Sequence, residues 1–300
     1  MVSDNLVLIP GAGGVGRRIF EQLRTQQMPV RFMVRREDER AAELRALGAE
    51  VVMGDLTKPE TVAAALQGVS RMYFGMQPSP DHLLAATVVA SVAREYGKLE
   101  ALVDLSQMTV SQMTATSTEE SHQQRLHWLA EQVFDWSGLP VVHIRPTAFL
   151  DSPLFTTMPA QSIRESGTIA LPFGSGRTSP IAVEDVARVI ATVLSDPAPH
   201  IGQVYELTGP RSVDMTELAD EFSRALGRPV SYVDLPGEAW NAQLPKLGIP
   251  PHVEQHLATM AQLHRDNRYD RTAADVERVT GIGPQSIEEF VAARKDFYLG

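Results

Sequence analysis

Three hundred residues carry 27 basic and 37 acidic side chains, a net charge of −10, and no cysteine. The acidic balance, without a long basic run, argues against a direct nucleic-acid surface; the missing cysteines exclude a disulfide framework, a thiolate nucleophile and any Cys-built zinc or iron–sulfur site. No apolar run approaches the roughly 18 residues that cross a bilayer, and residues 1–4 carry no signal-peptide pattern, so the expectation is a soluble cytoplasmic protein with no membrane partner.

Residues 5–9 read as the first strand, and the turn after it has the spacing G-x-G-x-x-G: Gly11, Ala12, Gly13, Gly14, Val15, Gly16. A helical run over 17–23 and a second strand over 30–34 complete the context in which this spacing means dinucleotide binding. Gly11 permits the tight turn, Gly13 lets the backbone approach a pyrophosphate, and Gly16 lets the helix pack close to the strand. The N–H groups at the helix start then point at the anion. The second strand ends in Arg35 and Arg36, with Glu37 and Asp38 only beyond them. An NAD site places a carboxylate there for the ribose 2′-hydroxyl, whereas a 2′-phosphate calls for Arg. The cofactor expected is therefore NADP(H) in preference to NAD(H). Arg17 and Arg18, on the first helix turn, add positive charge nearby.

Beyond the arginines the reading is helix 37–47, strand 49–53, helix 60–66 after Pro59, strand 70–74, loop 75–81, helix 82–96 and strand 99–105. Strands alternating with helices at this spacing mean βαβ units and a parallel sheet. Residues 107–118 form a polar loop whose length and place after a strand suit function. Ser117 with Glu120 reads as a capping box opening a helix with the stripe Leu126, Leu129, Val133 and Trp136. A sixth strand runs over 139–144. After it the rhythm changes to a helical insertion over 151–166, a mostly turn segment over 167–179, helix 184–194 and a returning strand over 202–207. Helices follow at 215–226, 236–245, 251–264, 272–278 and 286–297, with a short strand near 229–233. The fold expected is α/β, a Rossmann-type doubly wound parallel sheet over 1–150, joined by 181–207. A smaller, mostly helical C-terminal portion within 151–300 would bind substrate, in a cleft above the strands' carboxyl ends.

Several motifs together resemble the NmrA-like group of atypical short-chain dehydrogenase/reductases, over nearly the whole chain. They are the 11–16 turn, Val34 to Arg36, Gly54 to Leu56, Asp104 to Ser106, Trp136 to Pro140, Arg145 with Pro146, residues 181–187, 205–210 and 275–291. The resemblance implies that the 11–16 turn holds a pyrophosphate, Arg35 and Arg36 the 2′-phosphate, and Asp55 and Leu56 the adenine. It implies that Gly75, Met76 and Gln77 line the ribose and pyrophosphate path. Ser106, Gln107, Pro146, Thr147, Ala148 and Phe149 would border the nicotinamide and substrate. One departure is the turn itself, since the family usually spaces it G-x-x-G-x-x-G and this chain has one residue fewer before Gly16.

Typical short-chain dehydrogenases use a Tyr acid and a Lys four residues on. No tyrosine here is followed by Lys at that spacing, and neither residue occurs between Ser106 and Trp136. Two expectations remain open. One is a reductase that passes hydride to a quinone, dye or activated alkene, with His127 and Ser106 as the candidate catalytic helpers and His122 and Arg125 behind them. The other is a non-catalytic NADP(H)-binding redox sensor acting through a regulatory protein partner. His252 and His256 share a helix face, but Glu254 fits neither zinc motif, so no metal is expected. The sequence leaves substrate and oligomeric state open.

Overall fold

The computed structural model describes residues 5–300; residues 1–4, read above as the lead into the first strand, lie outside the described residues. Short, buried apolar runs become the central strands, covered on both faces, while Glu50–Met53 and Ser231–Asp234 are more exposed. The strands are β1 (Val7–Pro10), β2 (Val30–Val34), β3 (Glu50–Met53), β4 (Arg71–Phe74), β5 (Ala101–Leu105), β6 (Val141–Pro146), β7 (Thr168–Leu171), β8 (Val204–Leu207) and β9 (Ser231–Asp234). Seven of them form one sheet in the order β3-β2-β1-β4-β5-β6-β8. The pairings from β3 through to β6 are all parallel. The order reverses between β1 and β4, the switch point where open α/β sheets bind ligands.

The helices on the early strands are α1 (Gly14–Thr25), α2 (Glu39–Ala46), α3 (Pro59–Ala65), α4 (His82–Tyr96) and α5 (His122–Ser137). They are followed by α6 (Thr157–Ser166), α7 (Val183–Ser195), α8 (Met215–Leu226), α9 (Gly237–Gln243), α10 (Pro251–Arg265), α11 (Asp275–Thr280), α12 (Ile287–Ala292) and α13 (Lys295–Leu299). Among the described residues no helix is long and apolar enough to cross a membrane. Two compact units interleave along the chain. The first comprises the chain to Val110 with Arg125–Arg145 and Val186–Tyr205; the second comprises Ser111–Gln124, Pro146–Asp185 and Glu206–Gly300. One core of the first unit joins Leu8, Met72, Phe74 and Leu102 of the sheet to Val62, Val89 and Phe134 of helices. The second packs Phe155, Phe173, Phe222, Trp240, Phe290 and Tyr298 together.

Four local expectations need correction. Residues 167–179 are turn and irregular chain from Pro172 on but open with an unexpected strand, because Thr168–Leu171 pairs in parallel with Ser231–Asp234 as a separate two-stranded sheet. The capping box is Ser121 with Gln124, four residues later than expected: Ser121 N–H donates to Gln124 Oε1 (2.8 Å) and Gln124 N–H to Ser121 Oγ (3.1 Å). Ser117 instead accepts from Thr114 N–H (2.8 Å), and Glu120 is paired with Arg268 (2.9 Å). The buried stripe of α5 is Leu126, Ala130 and Phe134, while Trp136 is 76% exposed. The last predicted helix is broken into α12 and α13 around Ala293 and Arg294.

Candidate functional site

The end of β1 turns through Gly11, whose φ of +80° needs glycine and whose N–H donates to Met33 O (2.9 Å). Gly13 caps α1 with extended backbone, and a Cβ on Gly13 or Gly14 would meet nothing within 4 Å. The turn thus faces open space. Gly16 is the reverse case. A Cβ there would lie 2.9 Å from Ile9 Cγ2 and 3.3 Å from Gly11 O, so glycine is what lets α1 sit against β1. Ala12 and Val15 are half-buried beside them. The first turn of α1 has no side-chain cap and no acidic residue. Its N–H groups and the helix dipole are left for an anion, which is the donor set a pyrophosphate requires.

Arg35 and Arg36 follow β2, exposed, and neither joins an ion pair among the described residues. The acids next to them are engaged: Glu37 pairs with Arg45, and Asp38 pairs with Arg40 (2.5 Å) while capping α2 through Ala41 N–H (3.3 Å). Arg17 and Arg18 are engaged too, both with Glu21 (2.9 and 3.1 Å). Among the described residues the two strand-end arginines are therefore left without a carboxylate at salt-bridge distance. Across from them, Asp55 accepts from Thr57 N–H (3.0 Å) and Thr57 Oγ1 (2.8 Å). These bonds, aided by the charge of Arg35, hold its carboxyl below the usual range. Leu56 packs into the core.

At the end of β4, a Cβ on Gly75 would lie 2.1 Å from the Tyr73 hydroxyl and 2.4 Å from its Cζ. Met76 is half-buried against the core and Gln77 is exposed. Past β5, Ser106 N–H donates to Ile144 O (2.8 Å), but its buried Oγ has no hydrogen-bond partner among the described residues. Gln107 Oε1 accepts from Thr109 Oγ1 (3.4 Å). His127, on α5, packs its ring against His82 with centroids 4.1 Å apart. His82 is fully buried at the start of α4, and burial lowers its pKa to about 4, so it is neutral. All these residues belong to the first unit. Pro146, Thr147 and Phe149 belong to the second, where Thr147 Oγ1 donates to Ser179 O (2.5 Å) and Phe149 bridges Ile181.

Below the end of β5 lies a buried charge network that sequence spacing does not reveal. His143 Nδ1 is 2.9 Å from Asp104 Oδ2 and Nε2 is 3.0 Å from Asp135 Oδ1. Arg145 is held by Glu131 through two bonds (3.0 and 2.5 Å). Burial alone would lower the His143 pKa, but bonds to two carboxylates, with Glu131 nearby, take it up to about 9. Both ring nitrogens face carboxylate oxygens, so the ring is the imidazolium and Asp104 its counter-ion. Asp104, Glu131 and His143 are the one group of three acidic or His side chains whose donor atoms come within 4.8 Å among the described residues. Arg145 and the imidazolium already balance its charge, which makes it a structural network rather than a cation site. His256 is likewise occupied, its Nδ1 2.7 Å from Ser121 Oγ.

The polar stretch after β5 is ordered by long-range ties. It starts as a 3₁₀ turn over Met108–Gln112. Within the second unit, Arg268 binds Gln112, Glu119 (2.9 Å) and Glu120 (2.9 Å), and Arg271 binds Ser111. Neither arginine carried any motif that would have marked it.

Known proteins resemble this chain along most of its length. An NAD(P)H azoreductase of Xenophilus azovorans is 28% identical over 290 residues, covering 96% of this chain and 97% of the relative. The fold matches an NADPH-dependent quinone oxidoreductase of Escherichia coli solved with NADPH (TM-score 0.84, 22% identity, 96% of this chain and 99% of that one). It also matches NmrA, a negative transcriptional regulator solved with NADP (TM-score 0.80, 16% identity, 97% and 95%). The NmrA-like family matches residues 3–291, and the chain belongs to that family.

Proposed function

We propose that this protein is an NADPH-dependent reductase of small electrophilic acceptors such as quinones, azo dyes or activated alkenes. The observation that carries the reading is the pair Arg35 and Arg36, exposed and without ion pairs among the described residues, beside an uncapped glycine-rich helix start. The azoreductase relative, matched over 96% of this chain, supports the same chemistry. In this reading residues 1–150, with 181–207, bind the cofactor, and the smaller portion within 151–300 shapes the acceptor site. NADPH, when bound, supplies the hydride. The first-turn N–H groups of α1 would hold its pyrophosphate, Arg35 and Arg36 its 2′-phosphate, and Asp55 and Leu56 the adenine side. Gly75, Met76, Gln77, Ser106 and Gln107 would border the nicotinamide half, and the family resemblance assigns Pro146, Thr147 and Phe149 to the same role. NADH would bind more weakly. Ser106, its buried hydroxyl without a partner, would orient the acceptor, and His127 would help to deliver the proton. Acceptors that need no strong general acid suit a chain without the Tyr–Lys pair. The reading places the enzyme in the cytoplasm.

The missing pair also favours a second reading, a redox sensor that binds NADP(H) without turnover and reports through a protein partner; a regulator shares the fold. Incubation of the protein with NADPH and a panel of quinones and azo dyes, followed at the nicotinamide absorbance band, separates the two. The reductase reading expects multiple-turnover oxidation with at least one acceptor class. Tight NADPH binding with no oxidation across the panel would replace it with the sensor.

A further inference from the structure

Six tyrosines occur in the chain, and five have their hydroxyls hydrogen-bonded. Tyr96 donates to Val69 O (3.0 Å), Tyr232 to Leu171 O (2.8 Å) and Tyr298 to Phe155 O (2.8 Å). Tyr205 meets His200 Nδ1 (2.7 Å), and Tyr269 accepts from Gln124 Nε2 (3.4 Å). Tyr73 is the exception. It is 3% exposed, and its hydroxyl has no hydrogen-bond partner among the described residues. The hydroxyl is nevertheless not sealed from solvent, so a phenol with no protein partner at this place calls for an explanation in what reaches it from outside.

The position of that hydroxyl supplies one. Met72 and Phe74 face the core shared with helices, so strand alternation puts Tyr73 on the opposite face of β4. Its ring leans along the strand until the hydroxyl occupies the place of the Gly75 side chain, 2.1 Å from where a Cβ would be. The phenol thus reaches the carboxyl end of β4. The sheet order sets what lies there. The 11–16 turn ends β1 at the centre, and Arg35 and Arg36 end β2 on one side. A dinucleotide with its pyrophosphate on the turn and its 2′-phosphate at β2 must carry its nicotinamide half over β4 and β5.

We propose that the Tyr73 hydroxyl donates a hydrogen bond to the nicotinamide–ribose half of the bound cofactor, and that Gly75 is glycine to leave it room. The proposal rests on the NADP(H)-binding reading given above. Burial, reinforced by the charge of Asp104, raises the phenol's pKa, so the group keeps its proton and acts as a donor. Tyr73 would be a binding residue, not a substitute for the missing general acid.

The test compares wild type with Tyr73→Phe for three ligands, NADPH, NADH and 2′,5′-ADP, which lacks the nicotinamide half. Loss of one hydrogen bond predicts about five- to tenfold weaker binding of both dinucleotides and unchanged binding of 2′,5′-ADP. The unliganded variant should melt near the wild-type temperature, because no hydrogen bond within the protein is removed. Gly75→Ala, which pushes the ring aside, should weaken the same two ligands. Dinucleotide binding by Tyr73→Phe within twofold of wild type would overturn the proposal while leaving the cofactor reading intact. Equal loss of all three ligands with a lowered melting temperature would also overturn it, in favour of a packing role. Failure of the wild type itself to bind NADPH would overturn the cofactor reading, and the proposal with it.

Discussion

The 11–16 turn and the segment over 111–124 both shape a stretch of chain beyond a strand, and they do so by opposite means. The turn is built from backbone: a left-handed Gly11, an uncapped helix start and a Gly16 with no room for a side chain. The second segment is built from side chains, with Arg268 gripping Gln112, Glu119 and Glu120 from about half the chain away. A backbone device depends on residues within a few positions of each other and fails locally. A side-chain device depends on one distant residue and should fail all at once.

The largest expected effect comes from cutting the distant tie. Arg268→Ala removes the partner of Glu120, whose side chain is 3% exposed. Allowing for the partial exposure of the arginine, the loss should be about 2–4 kcal/mol of stability by denaturant unfolding. Faster amide exchange throughout 111–124 should accompany it. A loss under about 0.5 kcal/mol, typical of a surface pair, would remove the contrast with the turn.

Gly16→Val tests the other side. Overpacking against Ile9 and the Gly11 carbonyl should cost about 1–3 kcal/mol and weaken NADPH binding, with exchange raised only near α1. Exchange changes that spread to 111–124 would mean that the two regions are not independent.

This contrast also explains what could be read in advance. The glycine turn, the Arg pair and the alternation of strands and helices are local, and the structure has them where the sequence reading puts them. The capping box was misplaced because Ser117 and Ser121 both offer a box, and only the distant Arg268 takes Glu120 out of the competition. The strand at Thr168–Leu171 was hidden among Pro172, Gly174 and Gly176 because its partner, Ser231–Asp234, lies far along the chain. Trp136 fitted the helical stripe by spacing, yet periodicity alone does not tell which flank of a helix meets the core. Tyr73 carried no motif; its role follows from how its side chain leans over Gly75.

A smaller effect should appear in the pH dependence of stability. The His143 pKa is raised to about 9 from an ordinary value near 6.5, so its stabilisation is full below about 6.5 and disappears as pH rises through 9. His82, His256 and His264 are each lowered to about 4, chiefly by burial. Their neutral forms are kept above 6.5, and the native state is penalised as pH falls from there towards 4. Denaturant unfolding across pH should therefore show a maximum near 6–7. His143→Gln should flatten the alkaline limb, by roughly 1–2 kcal/mol, and lower stability at neutral pH by leaving Asp104 buried without its counter-ion. An alkaline limb that persists in the variant would assign it to other groups.

The central claim is that Arg35 and Arg36 read a 2′-phosphate. Its most direct test is the affinity of wild type and of the Arg35→Ala, Arg36→Ala double variant for NADPH and NADH, measured by titration under one salt condition. Loss of charge-assisted bonds predicts that wild type prefers NADPH by about tenfold or more and that the variant loses this preference while NADH binding holds. Equal affinity of wild type for the two cofactors, unchanged by the substitutions, would contradict it.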